Sequence, residues 1–217
     1  MNNPDRFFAE RRREMVLELR RKGIGNERVL EAMGMVERHF FFDDERSPYA
    51  YEDSAYPIGC GQTISQPYTV AYMTTLLLER CPPPAKVLEV GTGSGYQAAL
   101  LDTLGYRVYS VERIPLLYER ALERFRTLGF SVSCLLGDGS LGWEDEAPFD
   151  GIIVTAAAPH CPEHLLRQLA DKGCLVIPVG EQGFQQMTVY RKSGDRYDKE
   201  LFHHFAFVPL IGREGWN

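Results

Sequence analysis

Residues 87–96 read VLEVGTGSGY, and this stretch decides how the rest of the chain is interpreted. Its first four residues form a short, mostly apolar run of the kind found in strands buried on both faces. Gly91, Gly93 and Gly95 follow, and they let the backbone turn sharply and approach a ligand closely. A helical pattern comes next, and the free N–H groups at a helix start attract anions. The stretch therefore predicts a strand, a glycine turn and a helix that together bind an anionic group.

The spacing of the glycines distinguishes between two classes of nucleotide site. A dinucleotide fingerprint has the form Gly-x-Gly-x-x-Gly, whereas here the third-glycine position holds Tyr96. Glu112 ends the next strand, 21 residues beyond Gly91, where a carboxylate can accept both hydroxyls of a ribose. Asp138 lies in a Gly-Asp-Gly turn, where its carboxylate can accept a hydrogen bond from the exocyclic amine of an adenine. Gly139, without a side chain, leaves room for the adenine ring. An ordinary turn aspartate is the alternative reading of Asp138.

Strand and helix patterns alternate in the second part of the chain, which indicates a parallel sheet covered by helices. We predict an α/β fold, an open, doubly wound and mostly parallel Rossmann-like sheet with antiparallel strands at one edge. One domain would span residues 1–217, with its nucleoside-binding core at 86–217. The predicted strands are at 86–92, 107–112, 131–137, 149–157 and 173–180, followed without intervening helices by 185–192 and 202–211.

The segment 1–80, before the stiff connector CPPPA at 81–85, reads as an N-terminal helical extension. Side-chain oxygens of Asn and Ser are good helix N-caps, and proline is favoured in the first helical turn. The pattern predicts a helix at 5–22, a second from Asn26 to Met35, irregular chain at 40–63, and a third helix with Ser65 as N-cap and Pro67 in its first turn.

Composition and charge indicate a globular protein and argue against several other classes. The chain has 217 residues, of which 44% are hydrophobic, and this is enough for one sizeable core. The formal net charge of -6 argues against nucleic acid as a partner. Five scattered cysteines without a Cys-x-x-Cys pair indicate reduced thiols. No run approaches the length of a membrane helix, and the charged N-terminus lacks the apolar block of a signal peptide. We expect a cytoplasmic monomer with no membrane partner.

Further segments carry a resemblance to a known family. These are PIGCGQTISQPYTVAYM (57–73), FDGIIVTAAAP (149–159) and CLVIPVG (174–180). Together with VLEVGTGSGYQAA and the Gly-Asp-Gly turn, they resemble the protein-L-isoaspartate O-methyltransferases over nearly the whole chain. The resemblance implies S-adenosylmethionine as cofactor and a Rossmann-like methyltransferase fold. The implied acceptor is the free α-carboxylate of L-isoaspartyl residues in damaged proteins and peptides, whose methyl ester collapses to a succinimide and so starts repair.

The resemblance also assigns residues. It makes Ser65 the active-site residue and places Thr63 beside it. The residues implied for the cofactor are Gln62, Thr63, Ile64, Glu89, Gly91, Thr92, Gly93, Glu112, Asp138 and Gly139. Those implied for the isoaspartyl substrate are Ser65, Thr155, Ala156, Pro178, Val179 and Gly180.

Methyl transfer to a carboxylate needs no general base, because the nucleophile is already ionised at neutral pH. This fits the lack of a clear His–Asp or Cys–His pair in the sequence. Ser65 would orient the acceptor carboxylate by a hydrogen bond, or it would serve as a helix cap, or both. The competing functions are an NAD-dependent oxidoreductase, a methyltransferase of small molecules or RNA, and an inactive binding protein.

A metal site is the remaining candidate in the sequence. His160 and His164 have i, i+4 spacing and Cys161 lies between them, but Pro159 and Pro162 disturb the segment. No fourth ligand is evident, so we predict no metal.

Overall fold

The computed structural model of the chain describes residues 4–43 and 47–216. Its helices are α1 (Pro4–Arg21), α2 (Glu27–Met35), α3 (Pro67–Arg80), α4 (Tyr96–Thr103), α5 (Pro115–Leu128) and α6 (Glu163–Arg167). A two-stranded hairpin consists of β1 (Tyr56–Gly59) and β2 (Gln62–Ile64). The seven-stranded sheet consists of β3 (Lys86–Val90), β4 (Arg107–Glu112), β5 (Val132–Leu136), β6 (Phe149–Val154), β7 (Leu169–Glu181), β8 (Phe184–Ser193) and β9 (Arg196–Phe205).

The strand order in the large sheet is β5-β4-β3-β6-β7-β8-β9. The first five strands of this order pair in parallel, and β8 and β9 are added antiparallel at one edge. The chain moves outward from β3 through β4 to β5 and then returns to β6 on the other side of β3. This reversal opens a crevice beyond the carboxyl ends of β3 and β6, where ligands bind in open α/β sheets. The predicted fold class is confirmed.

Apolar side chains of neighbouring strand residues point to opposite faces of the sheet and build two cores. Val87 belongs to the larger core, together with buried residues of α1 to α5. Leu88 and Val90 belong to the smaller core, where Leu165 is the buried residue of α6. Five helices therefore cover one face, whereas α6 and loops cover the other.

The N-terminal segment agrees with the sequence pattern in its helices and departs from it between them. The Asn26 side chain caps α2 by accepting a hydrogen bond from the Val29 N–H at 3.3 Å. The prediction that Ser65 caps the third helix is wrong: Gln66 is the N-cap of α3, without a side-chain bond. The irregular chain predicted at 40–63 is also wrong in part, because the β1–β2 hairpin forms around left-handed residues 59–61.

The last predicted strand is displaced along the chain. The β8–β9 hairpin turns at Gly194, whose φ of 58° suits a tight turn, and β9 therefore starts at Arg196 rather than near 202. The antiparallel ladder ends at Phe205, and the residues beyond it leave the sheet edge. Among the described residues, no helix combines the length and apolar character needed to cross a membrane.

Candidate active site

The glycine turn after β3 brings the backbone into close contact with β6. Gly91 has a φ of 97°, and a Cβ at this position would lie 2.5 Å from the Thr155 Oγ1 atom. Thr155 follows β6 and donates its hydroxyl to the Gly91 carbonyl at 2.6 Å. Gly95, with a φ of 92°, has similarly little room, because its Cβ would lie 2.8 Å from the Phe125 ring. Glycine is therefore required at both positions by conformation and by contact.

Glu112 fixes the other side of the turn. Its Oε2 atom accepts the Gly93 N–H at 2.8 Å, and its Oε1 atom accepts the Ile114 N–H at 2.9 Å. A carboxylate has about four acceptor positions, so each oxygen keeps capacity for a further donor. The Glu112 side chain is buried and lines a cavity at the sheet end. This arrangement suits a diol that donates two hydrogen bonds.

Two adjoining cavities occupy the crevice. The first cavity is lined by hairpin residues, the turn, the ends of β4 and β6, and a C-terminal segment: Gln62, Thr63, Val90, Gly91, Gly93, Val111, Glu112, Arg113, Ile114, Gly139, Thr155, Ala156, Val208, Pro209, Leu210 and Ile211. The second cavity is lined by Thr63, Ile64, Ser65, Val70, Met73, Glu89, Gly91, Thr92, Gly93, Ser94, Tyr96, Gln97 and Thr155. Thr63, Gly91, Gly93 and Thr155 belong to both, so the cavities meet at the glycine turn.

Glu89 presents a buried carboxyl group to the second cavity. One oxygen accepts the Ser110 hydroxyl, and Ser110 in turn lies 2.5 Å from the Thr92 hydroxyl. The other oxygen, Oε1, has no hydrogen-bond partner within the described residues. Burial, with a smaller contribution from the Glu112 charge, raises the pKa of Glu89 to about 8. A carboxyl group with an unpaired oxygen at a cavity wall is suited to a cationic ligand group.

The protein-L-isoaspartate(D-aspartate) O-methyltransferase family profile matches residues 10–215. The chain belongs to this family. The protein-L-isoaspartate O-methyltransferase of Chlorobium limicola is 75% identical over 217 residues, which is 100% of both chains. The enzyme of the same name from Chlorobaculum tepidum is 63% identical over 209 residues, or 96% of this chain and 98% of the relative.

Solved structures agree with the family assignment. A Plasmodium falciparum structure named as a protein-L-isoaspartate O-methyltransferase, in complex with S-adenosyl-L-homocysteine, superposes with a TM-score of 0.80 and 25% identity. It covers 91% of this chain and 97% of that one. A second structure of that name has a TM-score of 0.84 and covers 94% of this chain and 67% of that one. The activity is thus the S-adenosylmethionine-dependent methylation of isoaspartyl residues, rather than that of an NAD-dependent oxidoreductase.

The residues at this site fit S-adenosylmethionine on observations of the structure itself. The cofactor carries an amino acid end, whose ammonium group matches the unpaired oxygen of Glu89 in the second cavity. It also carries a nucleoside end, whose ribose hydroxyls match Glu112 in the first cavity. Gly139 lies against the floor of that cavity, where a Cβ would meet Val90 Cγ1 at 2.6 Å.

The structure places the predicted hairpin residues on both cavities. Gln62 and Thr63 line the first cavity, and Thr63, Ile64 and Ser65 line the second. The Ser65 hydroxyl makes no hydrogen bond within the described part of the chain, so it is available to a ligand. Of the two residues expected near the acceptor after β6, Thr155 touches both cavities, whereas Ala156 lines the first alone.

Asp138 is turned away from the first cavity. Its Oδ1 atom accepts the Ser140 N–H at 2.9 Å and the Ser140 hydroxyl at 2.7 Å, and its Oδ2 atom accepts the Arg213 N–H at 2.8 Å. The carboxylate thereby fastens the C-terminal segment to the end of β5. Its contact with adenine stays a prediction, and Gly139 is the residue of this turn that lines the cavity.

Pro178, Val179 and Gly180 line neither cavity. They lie in β7, where the Pro178 carbonyl accepts the Ala158 N–H at 3.0 Å and the Gly180 N–H reaches the Ala158 carbonyl at 3.0 Å. These bonds hold the chain that follows Thr155. The three residues therefore support the wall of the site from behind, and their substrate contact stays a prediction.

Sequence reasoning missed the C-terminal wall of the first cavity. Residues 208–211 line it, and the bridge between Ala157 and Pro209 holds them beside the end of β6. Their apolar run was read as a strand. Pro209 was the available signal against that reading, because proline cannot donate to a central ladder. The side chains of Tyr96 and Gln97 in the second cavity were likewise missed, since only the free N–H groups at the start of their helix were expected to meet a ligand.

One of the two histidines considered for a metal site, His164, contacts a carboxylate instead. The ring Nδ1 atom of His164 lies 2.6 Å from the Glu214 Oε1 atom, and the backbone N–H of His164 donates to Oε2 of the same carboxylate at 3.1 Å. Within the described residues, no group of three or more His, Cys, Asp or Glu side chains is arranged to hold a metal ion.

Proposed function

We propose that the first cavity holds the adenosine part of S-adenosylmethionine and that the second holds its amino acid end beside the acceptor carboxylate. Glu112 would accept the ribose hydroxyls, and Glu89 would accept the α-ammonium group. Gly139 and the apolar residues of the C-terminal wall would flank the adenine. The observation that carries this proposal is the shared wall at Gly91 and Thr155, which lets one ligand extend through both cavities.

The chain's own residues would act by alignment. When bound, S-adenosylmethionine supplies a methyl group on a sulfonium, so that a carboxylate oxygen can form the new O–C bond as the C–S bond breaks and its electron pair stays on sulfur. Ser65 would donate its hydroxyl to the non-attacking oxygen of the isoaspartyl carboxylate. Thr63, at the junction of the cavities, would help exclude water. Most of the rate enhancement would then come from orientation and desolvation.

Matched peptides test this proposal. The protein would be incubated with methyl-labelled S-adenosylmethionine and with two peptides that differ only in carrying L-isoaspartate or L-aspartate at one position. We expect base-labile label on the isoaspartyl peptide alone. Equal labelling of both peptides would show that the second cavity does not select the isoaspartyl linkage. Collapse of the labelled ester to a succinimide, detected by mass spectrometry, would connect the reaction to repair.

We also propose that the chain works as one monomeric catalytic domain in the cytoplasm, without a nucleic-acid partner. The five free cysteines and the net charge of -6 support this. The family profile spans residues 10–215, which supports a single functional unit. Size-exclusion chromatography with light scattering should give the mass of one 24.7 kDa chain. A mass of two chains would contradict the monomer.

A further inference from the structure

A buried arginine lies directly behind Ser65. Arg38 begins a short 3-10 turn at Arg38–Phe41, and its side chain is 0% exposed. Its Nη2 atom donates to the Ser65 carbonyl at 2.7 Å, and its Nε atom donates to the Ala50 carbonyl at 2.7 Å. The guanidinium group therefore joins two distant parts of the N-terminal segment at the residue assigned to the acceptor.

This guanidinium group has no ion-pair partner within the described residues. Burial lowers the pKa of Arg38 to about 10, which leaves the group charged at neutral pH. Tyr96 and Tyr51 oppose this lowering of the pKa more than Asp53 does. The Asp53 carboxylate is bound to Lys22 at 2.6 Å and to the Tyr68 N–H at 2.7 Å. The Nη1 atom of Arg38 is also without a hydrogen-bond partner. A buried, unpaired cation is costly, and such groups occur where function requires them.

The position of the charge connects it with the second cavity. The Arg38 guanidinium carbon lies 4.6 Å from the ring centroid of Tyr96, and Tyr96 lines that cavity together with Ser65. Arg38 therefore does not line the second cavity itself but contacts Tyr96, a residue that does. A fixed positive charge in a poorly solvated wall raises the potential of the adjoining cavity and favours an anionic ligand.

We propose that Arg38 is a positioning residue for the acceptor carboxylate, acting in two ways. Its hydrogen bond to the Ser65 carbonyl sets the direction of the Ser65 hydroxyl. Its charge makes the second cavity selective for an anionic acceptor over a neutral one. The proposal rests on the acceptor role of Ser65 given above. It goes beyond that role, because it assigns the charge selectivity of the site to a residue that does not touch the substrate.

The test compares a charged ligand with a neutral one. With S-adenosyl-L-homocysteine bound, the full-length protein would be titrated with an isoaspartyl peptide and with the same peptide whose α-carboxylate is a carboxamide. Arg38→Gln should lower the preference for the carboxylate peptide about tenfold, while binding of the carboxamide peptide and of S-adenosyl-L-homocysteine stays within about twofold. Arg28→Gln is the control, because Arg28 also donates to a backbone carbonyl, that of Leu104, but its side chain is exposed and Leu104 lines neither cavity.

Arg38→Lys separates the two actions and covers the case in which Arg38→Gln does not fold. Lysine keeps the charge but cannot donate to both carbonyls in the same geometry. We expect preserved preference for the carboxylate peptide with a lower kcat. If Arg38→Lys or Arg38→Gln weakens the binding of both peptides and of S-adenosyl-L-homocysteine equally, Arg38 is only structural and the proposal is overturned. An unchanged kcat in Ser65→Ala would refute the role of Ser65 instead, and the charge preference of the Arg38 variants would still report on the cavity.

Discussion

Ser65 and Glu89 both line the second cavity, where each has a polar atom without a hydrogen-bond partner among the described residues. The Ser65 hydroxyl can donate to an acceptor, while the Glu89 Oε1 atom can accept from a cation. Each is held by its surroundings, Ser65 through its carbonyl and Glu89 through Ser110. The Glu89 side chain and the Ser65 backbone are thus fixed before a ligand arrives, which lowers the entropic cost of alignment.

Ser65→Ala should lower kcat about 10- to 100-fold, because a hydrogen bond to a charged group contributes roughly 1.5–3 kcal/mol. The affinity for S-adenosyl-L-homocysteine should stay within about twofold, since Ser65 faces the acceptor. Steady-state kinetics with an isoaspartyl peptide and calorimetry with the product measure the two effects separately. A collapse of cofactor affinity would show that Ser65 belongs to the cofactor site.

Glu89 should couple cofactor binding to the release of a proton. Its pKa of about 8 in the free protein means that the carboxyl group is mostly protonated at pH 7, and an ammonium group beside Oε1 would favour the ionised form. The affinity for S-adenosyl-L-homocysteine should therefore rise with pH up to about pH 8, with about one proton released at pH 7. Calorimetry in buffers of different ionisation enthalpy measures this number.

The same pKa shift has a consequence for folding. Because the folded pKa lies above the ordinary value of 4.5, the contribution of Glu89 to stability is fully present below pH 4.5 and is lost as pH rises through about 8. Glu89→Gln cannot ionise. Its melting temperature relative to the parent protein should rise between pH 5 and pH 8, and its cofactor affinity should lose the proton linkage. Parallel pH profiles of the two proteins would contradict the assignment of the raised pKa to Glu89.

At the scale of elements, the C-terminal segment is held against the sheet end by side chains of the turn after β5. Ser140 is fully buried, donates its hydroxyl to Asp138 and accepts the Glu214 N–H at 3.0 Å. The Asp138 carboxylate accepts a hydrogen bond from the Arg213 N–H. These bonds fix residues 208–211, which form one wall of the first cavity. The turn therefore acts on the cofactor site through another element.

Ser140→Ala should lower the affinity for S-adenosyl-L-homocysteine about 5- to 30-fold, because two buried hydrogen bonds are lost and the C-terminal wall loosens. The kcat at saturating cofactor should change little, since Ser140 lines neither cavity. Calorimetry and peptide kinetics give the two values. Ser193→Ala, at the exposed end of β8, is the control and should bind normally. An affinity equal to that of the control would show that residues 208–211 keep their position without the Ser140 hydrogen bonds.

At the scale of the whole molecule, the two cavities are built from parts that are far apart in the sequence. The β1–β2 hairpin, the turn after β3, the end of β6 and the C-terminal segment meet at the crevice where the strand order reverses. A ligand that spans both cavities therefore joins segments from both ends of the chain. Such a ligand binds only the folded protein and should stabilise it as a unit.

S-adenosyl-L-homocysteine at about 100 times its Kd should raise the melting temperature by roughly 5–10 °C, since ligand binding at that ratio adds about 2.7 kcal/mol. Glu112→Gln should lose most of this shift, because the amide cannot accept both backbone N–H groups of the turn and a ribose diol together. Scanning calorimetry measures both proteins. A full shift in Glu112→Gln would place the nucleoside elsewhere.

The order and type of the elements in the core could be predicted from sequence because they depend on short-range patterns. The apolar runs of β3, β4 and β6, the glycines that end α4 and α5, and the Asn26 cap each act within a few residues. The glycine turn and Glu112 were found for the same reason: both lie directly after strands, and the carboxyl ends of parallel strands meet at one edge of a sheet.

What only the tertiary structure decided depends on contacts between distant residues. The direction of the Asp138 carboxylate depends on Arg213, the C-terminal wall depends on Ala157, and the Ser65 backbone depends on Arg38. The raised pKa of Glu89 likewise follows from burial by neighbouring elements. Local propensity cannot specify such partners, because a hydrogen bond or a buried charge is set by what packs against it. The sequence by itself therefore determined the fold, the cofactor and the family, whereas tertiary packing decided which polar atoms remain free to meet a ligand.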